Sequence, residues 1–291
     1  MFLTVITPAY NRANLLERLY NSLKEQNFTD FEWIIIDDGS TDNTKQTVER
    51  FVADNTLRVK YLYKRNGGKH TALNVGIKNA EGKYIFIADS DDLLLPNCLS
   101  TLYEKSTLIE QNSDLGGMVG INCTIEGNRI GSGLPHETIE CSPIDIRYKY
   151  KVTGDLSEVF KTSVLQEFPF PEIPEEKFCP EVLVWNRIGQ KYKLIYFNEA
   201  IYVRDYQQGG LTEKITKIRM KSPIASTTCY AEMVSLNIPF KEKVKAAINY
   251  WRFRFCCNGK KPVTKIGGLW KCVAPLGWLI HIKDLRTVKD K

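Results

Sequence analysis

An α/β fold, with a mostly parallel central sheet covered by helices on both faces, is predicted by three observations. Short, almost wholly apolar runs rich in β-branched residues alternate with stretches whose leucines and valines recur at helical spacing. Each apolar run stops at a loop of Gly, Asp, Asn or Pro. The runs lack apolar/polar alternation, which marks strands buried on both faces and joined in parallel by right-handed crossovers. With 291 residues, 43% hydrophobic and 25% charged, the chain has ordinary globular proportions and room for a large domain with an appendage.

Residues 2–7 form the first predicted strand, ended by Pro8, and Leu15, Leu16, Leu19 and Leu23 then give a helix over 14–26. Residues 31–36 are a second strand closed by Asp37-Asp38-Gly39-Ser40-Thr41-Asp42, and a helix over 44–52 follows from an Asp or Asn cap. A strand over 59–63, the loop Asn66-Gly67-Gly68-Lys69-His70 and a helix over 71–79 repeat the unit. The fourth strand, Ile85-Phe86-Ile87-Ala88, stops abruptly in Asp89-Ser90-Asp91-Asp92. Beyond it the spacing predicts a helix over 96–110, two strands within 116–130 turning at Gly127-Asn128, and a polar connection over 131–155. A helix over 178–190 and strand pieces at 193–197 and 200–203 come next. From about residue 215 the chain is basic and helical, so two domains are expected, 1–214 and 215–291. Charge divides the same way: 23 Lys and Arg face 30 Asp and Glu through residue 213, net −7, and 17 face 4 from residue 214 onward, net +13.

Ligands of open parallel sheets bind beyond the carboxyl ends of the strands. That rule gathers four loops at one site: Thr7-Pro8-Ala9-Tyr10-Asn11, Asp37-Asp38-Gly39-Ser40, Asn66-Gly67-Gly68-Lys69-His70 and Asp89-Ser90-Asp91-Asp92. Asp-x-Asp at a strand end supplies hard oxygen ligands suited to Mg²⁺ or Mn²⁺ shared with a diphosphate. Taken alone, the same string reads equally as an acidic turn that caps the following helix. Thr-Pro-Ala-Tyr-Asn stands where a nicotinamide enzyme would carry GxGxxG, which excludes that class. No nucleophilic-aspartate pattern of a phosphatase or response regulator is evident, and no nucleic-acid-binding motif, so no nucleic acid partner is expected. The eight cysteines show no CxxC spacing and read as free thiols. No basic leader precedes Pro8 and no apolar run reaches the roughly 18–20 residues of a membrane span, so a cytoplasmic protein is expected.

Four segments carry a resemblance: Val5-Ile6-Thr7-Pro8-Ala9-Tyr10-Asn11; Ile34-Ile35-Ile36 with Asp37 to Asp42; Asn66-Gly67-Gly68-Lys69 with Ala72-Leu73-Asn74; and Gly82-Lys83-Tyr84-Ile85 with the run to Asp92. In order and spacing they resemble family 2 glycosyltransferases of the nonprocessive bacterial capsule or O-antigen type, over about residues 3–212. The resemblance implies a GT-A fold with a Rossmann-like sheet, a nucleotide-sugar donor, Mn²⁺ or Mg²⁺ as cofactor, and transfer with inversion at the anomeric carbon. By position, Thr7, Pro8, Ala9 and Tyr10 fall where the family wraps the base and ribose. Asp38 falls where a carboxylate accepts from a uracil imide N–H, which favours a UDP-sugar. Lys69 falls in a loop approaching the donor, Asp89 and Ser90 face ribose or sugar, and Asp91 binds the metal. Asp92 supports them, and His70 reads either as a phosphate contact or as an exposed loop residue.

Transfer also requires a group that takes the proton of the attacking acceptor hydroxyl. The family places that carboxylate in an acidic pair at a helix start, followed by an aromatic and an arginine. Cys179-Pro180-Glu181-Val182-Leu183-Val184-Trp185-Asn186-Arg187 fits the spacing, with Pro-Glu in place of the usual Glu-Asp. Glu181 is therefore the expected base, with Asp155, Glu175 and Glu176 as alternatives; an N-terminal glutamate also stabilises a helix through its dipole. Arg204 to Thr212 resembles the loop that closes over donor and acceptor in nonprocessive members. It lacks the Gln-x-x-Arg-Trp box of processive synthases and a clear histidine, so a single sugar is added and a third metal ligand is unassigned.

The tail combines Lys and Arg with Tyr250, Trp251, Phe253, Phe255, Trp270 and Trp278. Basic heads beside aromatics suit an anionic membrane surface, while a solvated helical cap is the plainer reading. The expectation is an inverting transferase of one sugar from a UDP-sugar to a saccharide or polyprenyl-diphosphate-linked acceptor, peripheral on the inner face of the cytoplasmic membrane. The rival from another class is a catalytically inactive GT-A fold acting as a carbohydrate-binding or scaffolding protein.

Overall fold

The structure is a computed structural model and describes residues 1–205, 214–259 and 263–289. The chain divides into two compact units, Met1–Pro169 with Arg187–Gln207 and Phe170–Asn186 with Gln208–Lys291. Residues 170–186 thus join the second unit, whereas the sequence reading assigns them to the first domain.

The first unit begins with β1 (Leu3–Ala9), α1 (Ala13–Lys24), β2 (Phe31–Asp37), α2 (Thr44–Asp54), β3 (Val59–Tyr63), α3 (Lys69–Asn79) and β4 (Tyr84–Ile87). It continues with β5 (Leu93–Leu94), α4 (Cys98–Ser106), β6 (Leu115–Cys123), β7 (Thr138–Cys141), α5 (Pro143–Tyr148), β8 (Leu156–Lys161) and α6 (Thr162–Glu167). Helix α7 (Glu181–Gly189) crosses from the second unit into the first and leads to β9 (Lys193–Val203). The nine strands make one sheet in the order β3-β2-β1-β4-β8-β6-β9-β5, with β7 also paired to β9. The first four strands are mutually parallel, as is β6 with β9; β8 runs antiparallel between β4 and β6, and β5 and β7 antiparallel to β9.

Strand periodicity decides which helix covers which face. Leu3 and Val5 of β1 and Trp33 and Ile35 of β2 share a fully buried cluster with Leu16, Leu19, Val48 and Phe51 of α1 and α2. There the Tyr20 and Phe51 rings stack 4.1 Å apart, beside Trp33. Ile6 and Ile36 point to the opposite face, where α3 comes so close that a Cβ on Gly76 would meet their side chains at 2.7 and 2.8 Å. Helices on both faces follow from nearly all-apolar strands.

Three sequence expectations change in the second half of this unit. The second strand of the pair expected within 116–130 is absent among the described residues: after β6 the chain turns at left-handed Gly127 and returns through a single bridge, Cys123 to Arg129. The polar connection over 131–155 contains β7 and α5, the latter started by Ser142, whose hydroxyl accepts the Asp145 N–H at 3.0 Å, and by Pro143 in the first turn. The two strand pieces over 193–203 are one strand, which reaches from β7 to β5.

The second unit is helical: α8 (Ile215–Lys221), α9 (Pro223–Ser235), α10 (Phe240–Arg254), a 3-10 turn over Gly268–Val273 and α11 (Ala274–Lys289). The buried Glu176 explains why its segment belongs here. Its carboxylate accepts the Ile224 and Ala225 N–H groups at 2.7 and 2.8 Å, a charge at the N-terminus of α9. Arg252 of α10 grips Asp284 of α11 through two nitrogens, at 2.5 and 2.8 Å.

Candidate active site

Every parallel strand of the first four delivers its loop to one edge of the sheet, and backbone bonds sew these loops together. Asp38 N–H donates to Ala9 O (2.8 Å), Asn11 N–H to Ser40 Oγ (2.9 Å) and Thr41 N–H to Asn11 Oδ1 (2.8 Å). Gly39 has φ +81°, and a Cβ there would stand 2.7 Å from Asn66 N, so the second and third loops touch only because the residue is glycine.

Asp38 is 3% exposed, and its carboxylate accepts from Gly67 N–H, Gly68 N–H, Asn66 Nδ2 and Lys64 Nζ at 2.7–3.2 Å. Four donors fill a carboxylate's acceptor capacity. The group expected to read a uracil imide N–H therefore already anchors the third loop. Lys64 completes the anchor by donating to Arg65 O and Thr71 Oγ1, both at 2.8 Å. Thr7 is likewise turned inward, fully buried, its hydroxyl accepting Trp33 Nε1–H at 2.8 Å, and its main chain lies at the strand end. Ala9 is buried, Pro8 half-buried, and Tyr10 projects with 49% exposure.

The acidic loop after β4 is ordered by charge. Asp89 N–H donates to Tyr202 Oη (2.8 Å), and the Asp89 carboxylate pairs with Lys69 Nζ (2.5 Å) and Arg204 (2.9 Å). The same Arg204 nitrogen holds Asp92 at 2.8 Å, and Asp205 N–H donates to Asp92 at 3.0 Å. Asp205 in turn takes an ion pair from Arg18 at 2.6 Å. Asp91 forms no hydrogen bond or ion pair with another residue among those described, and Ser90 beside it is buried. Burial works to raise the Asp89 carboxyl, but the adjacent Lys69 and Arg204 charges hold it below the usual carboxylate range. Burial and the charge of Asp89 push Asp91 up. Burial raises Asp92 to about 6, outweighing its contact with Arg204.

Among the described residues no group of three or more His, Cys, Asp or Glu is arranged to hold a metal. Asp91 still fits one: a hard oxygen donor with no competing hydrogen-bond or ion-pair partner among the described residues, and ions such as Mg²⁺ take one or two carboxylates and complete their shell with phosphate oxygens and water. His70, in the first turn of α3, is buried rather than exposed. Glu181 stands half-buried in the first turn of α7, in the second unit. Of the other candidates for the base, Glu176 is occupied by the N-terminus of α9 and Glu175 takes a left-handed φ of 70°. Of the loop 204–212, residues 206–212 lie outside the described residues.

Sequence reasoning missed Lys64, and it placed Arg204 in the closing loop without its pairing to Asp89 and Asp92. Both cations directly follow strands, β3 and β9, at the edge where ligands bind, so the strand-end rule that selected the acids could have selected these cations.

A sequence profile for glycosyl transferase family 2 matches residues 4–157. Over 219 residues the chain is 34% identical to a GalNAc(5)-diNAcBac-PP-undecaprenol β-1,3-glucosyltransferase of Campylobacter jejuni, covering 72% of this chain and 67% of that one. It is 34% identical over 182 residues to the poly(ribitol-phosphate) β-N-acetylglucosaminyltransferase TarS of Staphylococcus aureus, covering 59% of this chain and 30% of the relative. Among solved structures, S. aureus TarS 1–349 with UDP-GlcNAc superposes with a TM-score of 0.63 at 21% identity, over 98% of this chain and 81% of that one. The mannosyltransferase PcManGT of Pyrobaculum calidifontis, with GDP-Man and Mn²⁺, superposes with a TM-score of 0.59 at 17% identity, over 97% and 86%. These likenesses are those of a GT-A fold.

Proposed function

The chain belongs to glycosyl transferase family 2 and is a glycosyltransferase, and from that premise we propose that it moves one sugar from a UDP-sugar to a lipid-linked saccharide with inversion. The observation that carries this reading is the charge pattern at the sheet edge: two acids paired with Lys69 and Arg204, and Asp91 left open beside them. UDP as the nucleotide is supported by the solved relative with UDP-GlcNAc. The acceptor class is supported by the C. jejuni relative, whose name specifies a PP-undecaprenol saccharide and which this chain matches over more of its length than TarS. A peripheral position on the cytoplasmic membrane suits such an acceptor, and no helix among the described residues is long and apolar enough to cross a membrane.

In this reading Tyr10 offers an exposed ring to the base, and the main chain of Thr7 to Ala9 lines the ribose. Asp38 acts through the loop it holds, keeping Lys69 at the start of α3 where its ammonium can turn from Asp89 to a phosphate oxygen. Mn²⁺ or Mg²⁺ on Asp91, when bound, offsets the negative charge that builds on the departing diphosphate. Glu181, at the helix start matching the family's spacing, takes the acceptor hydroxyl proton. The proposed domains are the transferase over 1–214 and a basic helical extension over 215–291.

The test is a panel of UDP-sugars with Mn²⁺ or Mg²⁺, read by UDP release and by thermal stabilisation on binding. Glu181→Gln is expected to keep donor binding within about twofold and to lower transfer about 100-fold or more. Retained transfer would move the base to Asp155 or Glu175. No stabilisation by any donor would favour a carbohydrate-binding or scaffolding protein instead.

A further inference from the structure

Helix α11 has two contrasting sides. One is pressed onto α10 so closely that a Cβ on Gly277 would stand 2.6 Å from Trp251 Cβ and 2.8 Å from Ile248 O, which only glycine permits. The same side carries Asp284, gripped by Arg252, and His281, whose Nδ1 lies 3.5 Å from Cys256 Sγ. Just before the helix, Trp251 Nε1 donates to Trp270 O at 2.8 Å, and Ile266, Trp270 and Val273 pack on Val234, Ala246 and Ala247. The turn and the helix are therefore firmly seated.

The other side is covered by nothing among the described residues of its unit and is strongly apolar. Leu269 is 80% exposed, Leu279 58%, Leu276 50% and Trp278 49%. Leu276, Leu279, Lys283 and Arg286 are all exposed and recur at intervals of three and four, which aligns them on one line of the helix, and Cys272 is exposed in the turn before it. Along that line chemistry changes in one direction: apolar through Leu279, cationic from Lys283 onward. Lys265 and Lys271 flank the apolar end. The acid within 263–287 is Asp284, and it is buried against Arg252, so the described surface of this stretch shows no carboxylate.

We infer that this face of the 3-10 turn and α11 is a membrane-seating element: Leu269, Leu276 and Leu279 enter the interfacial layer of an anionic bilayer, with the exposed Trp278 at the flank of the helix, while Lys265, Lys271, Lys283 and Arg286 meet its headgroups. Large apolar side chains clustered on a surface mark an interaction site. Their ring of uniformly positive charge complements a uniformly negative plane, and a tryptophan among leucines suits the boundary between headgroups and acyl chains. A protein surface of mixed sign would leave some of these lysines opposed. The inference deepens the proposed function by naming the partner surface of the tail, and it rests on that reading for why a bilayer is at hand. Its test uses neither donor nor acceptor, so either can fail alone.

The full chain is mixed with vesicles of phosphatidylglycerol and phosphatidylcholine in equal parts, or of phosphatidylcholine alone, and bound protein is measured by co-sedimentation. Wild type is expected to bind the anionic vesicles at least about tenfold more tightly than the neutral ones. Leu276→Glu with Leu279→Glu is expected to lower that binding at least about tenfold, with thermal unfolding unchanged, since both positions are exposed. Lys283→Gln with Arg286→Gln, which adds no charge to an apolar position, is expected to lower binding in proportion to the charge removed and to make it less salt-sensitive. Equal binding by wild type and the Leu276/Leu279 variant, or no binding by wild type, overturns the inference. So does sedimentation velocity showing a dimer in the absence of vesicles that the same variant converts to monomer, which would give the face to a second copy.

Discussion

In the loop after β4 three acids, Asp89, Asp91 and Asp92, are matched by two cations, Lys69 and Arg204. At the seam between α10 and α11 one acid, Asp284, is matched by one cation, Arg252, while Lys265, Lys271, Lys283 and Arg286 lie exposed. At these two places a buried acid meets an internal cation, because a buried unpaired charge is destabilising. What differs is the sign left over. The sheet edge keeps a carboxylate in reserve, and the helical unit keeps ammonium and guanidinium groups at its surface. In each unit the unmatched charge, rather than the paired one, is what remains available to a ligand.

The largest effect expected from breaking this contrast is loss of the reserved carboxylate. Asp91→Asn should lower transfer about 1000-fold, since the proposed metal's Lewis-acid contribution, on the order of several kcal/mol, would be lost, and should remove the metal dependence of UDP binding that the proposal expects. Calorimetric titration of UDP with and without Mn²⁺ checks this. Arg204→Gln attacks the pairing itself. It leaves Asp89 and Asp92 without their shared guanidinium and is expected to cost about 3 kcal/mol of stability, read by urea denaturation. It should also tighten Mn²⁺ binding in the absence of donor, because Asp92 loses its cation and Asp89 keeps only Lys69. Unchanged Mn²⁺ affinity would mean that Arg204 does not partition the acids.

In the helical unit, Glu176→Ala removes the carboxylate from the N-terminus of α9 and should cost about 2 kcal/mol, again by denaturation, with donor affinity untouched. The smallest effect is one of pH. Burial holds the His281 imidazole below its ordinary range, against the opposing pull of Asp284. The unfolded chain therefore takes up this proton first as pH falls. The contribution is complete above about pH 6.5 and is lost as pH drops from there through the lowered folded value. Asp92, raised to about 6, acts in the opposite sense over the same window, so the decline is read as the difference in thermal unfolding between wild type and His281→Gln from pH 7.5 to 5.5.

Much of the first hundred residues was legible because apolar runs and glycine-rich loops are local signals. The edge holding the four loops followed from one topological rule. The elements between 124 and 167 were harder to read. β7 has four residues, α5 and α6 six each, and such pieces form because β9, β6 and β4 offer them partners, not because of their own periodicity. The hydrogen bonds of Thr7 and Asp38 were hard to read for a related reason: the buried tryptophan N–H and the donors of the third loop that engage their side chains come from other parts of the chain.

By itself the sequence determined the α/β class, the family, the loops that meet at the sheet edge and the division of charge between the front of the chain and its tail. These depend on composition, spacing and order, which are properties of the chain in one dimension. The tertiary structure alone decided which of three adjacent aspartates stands open, that Glu176 caps a helix some fifty residues away, and which face of α11 is bare. Each depends on partners distant in sequence, Arg204 for the aspartates, Ile224 and Ala225 for Glu176, and α10 for α11. Only packing could say which groups those partners leave free.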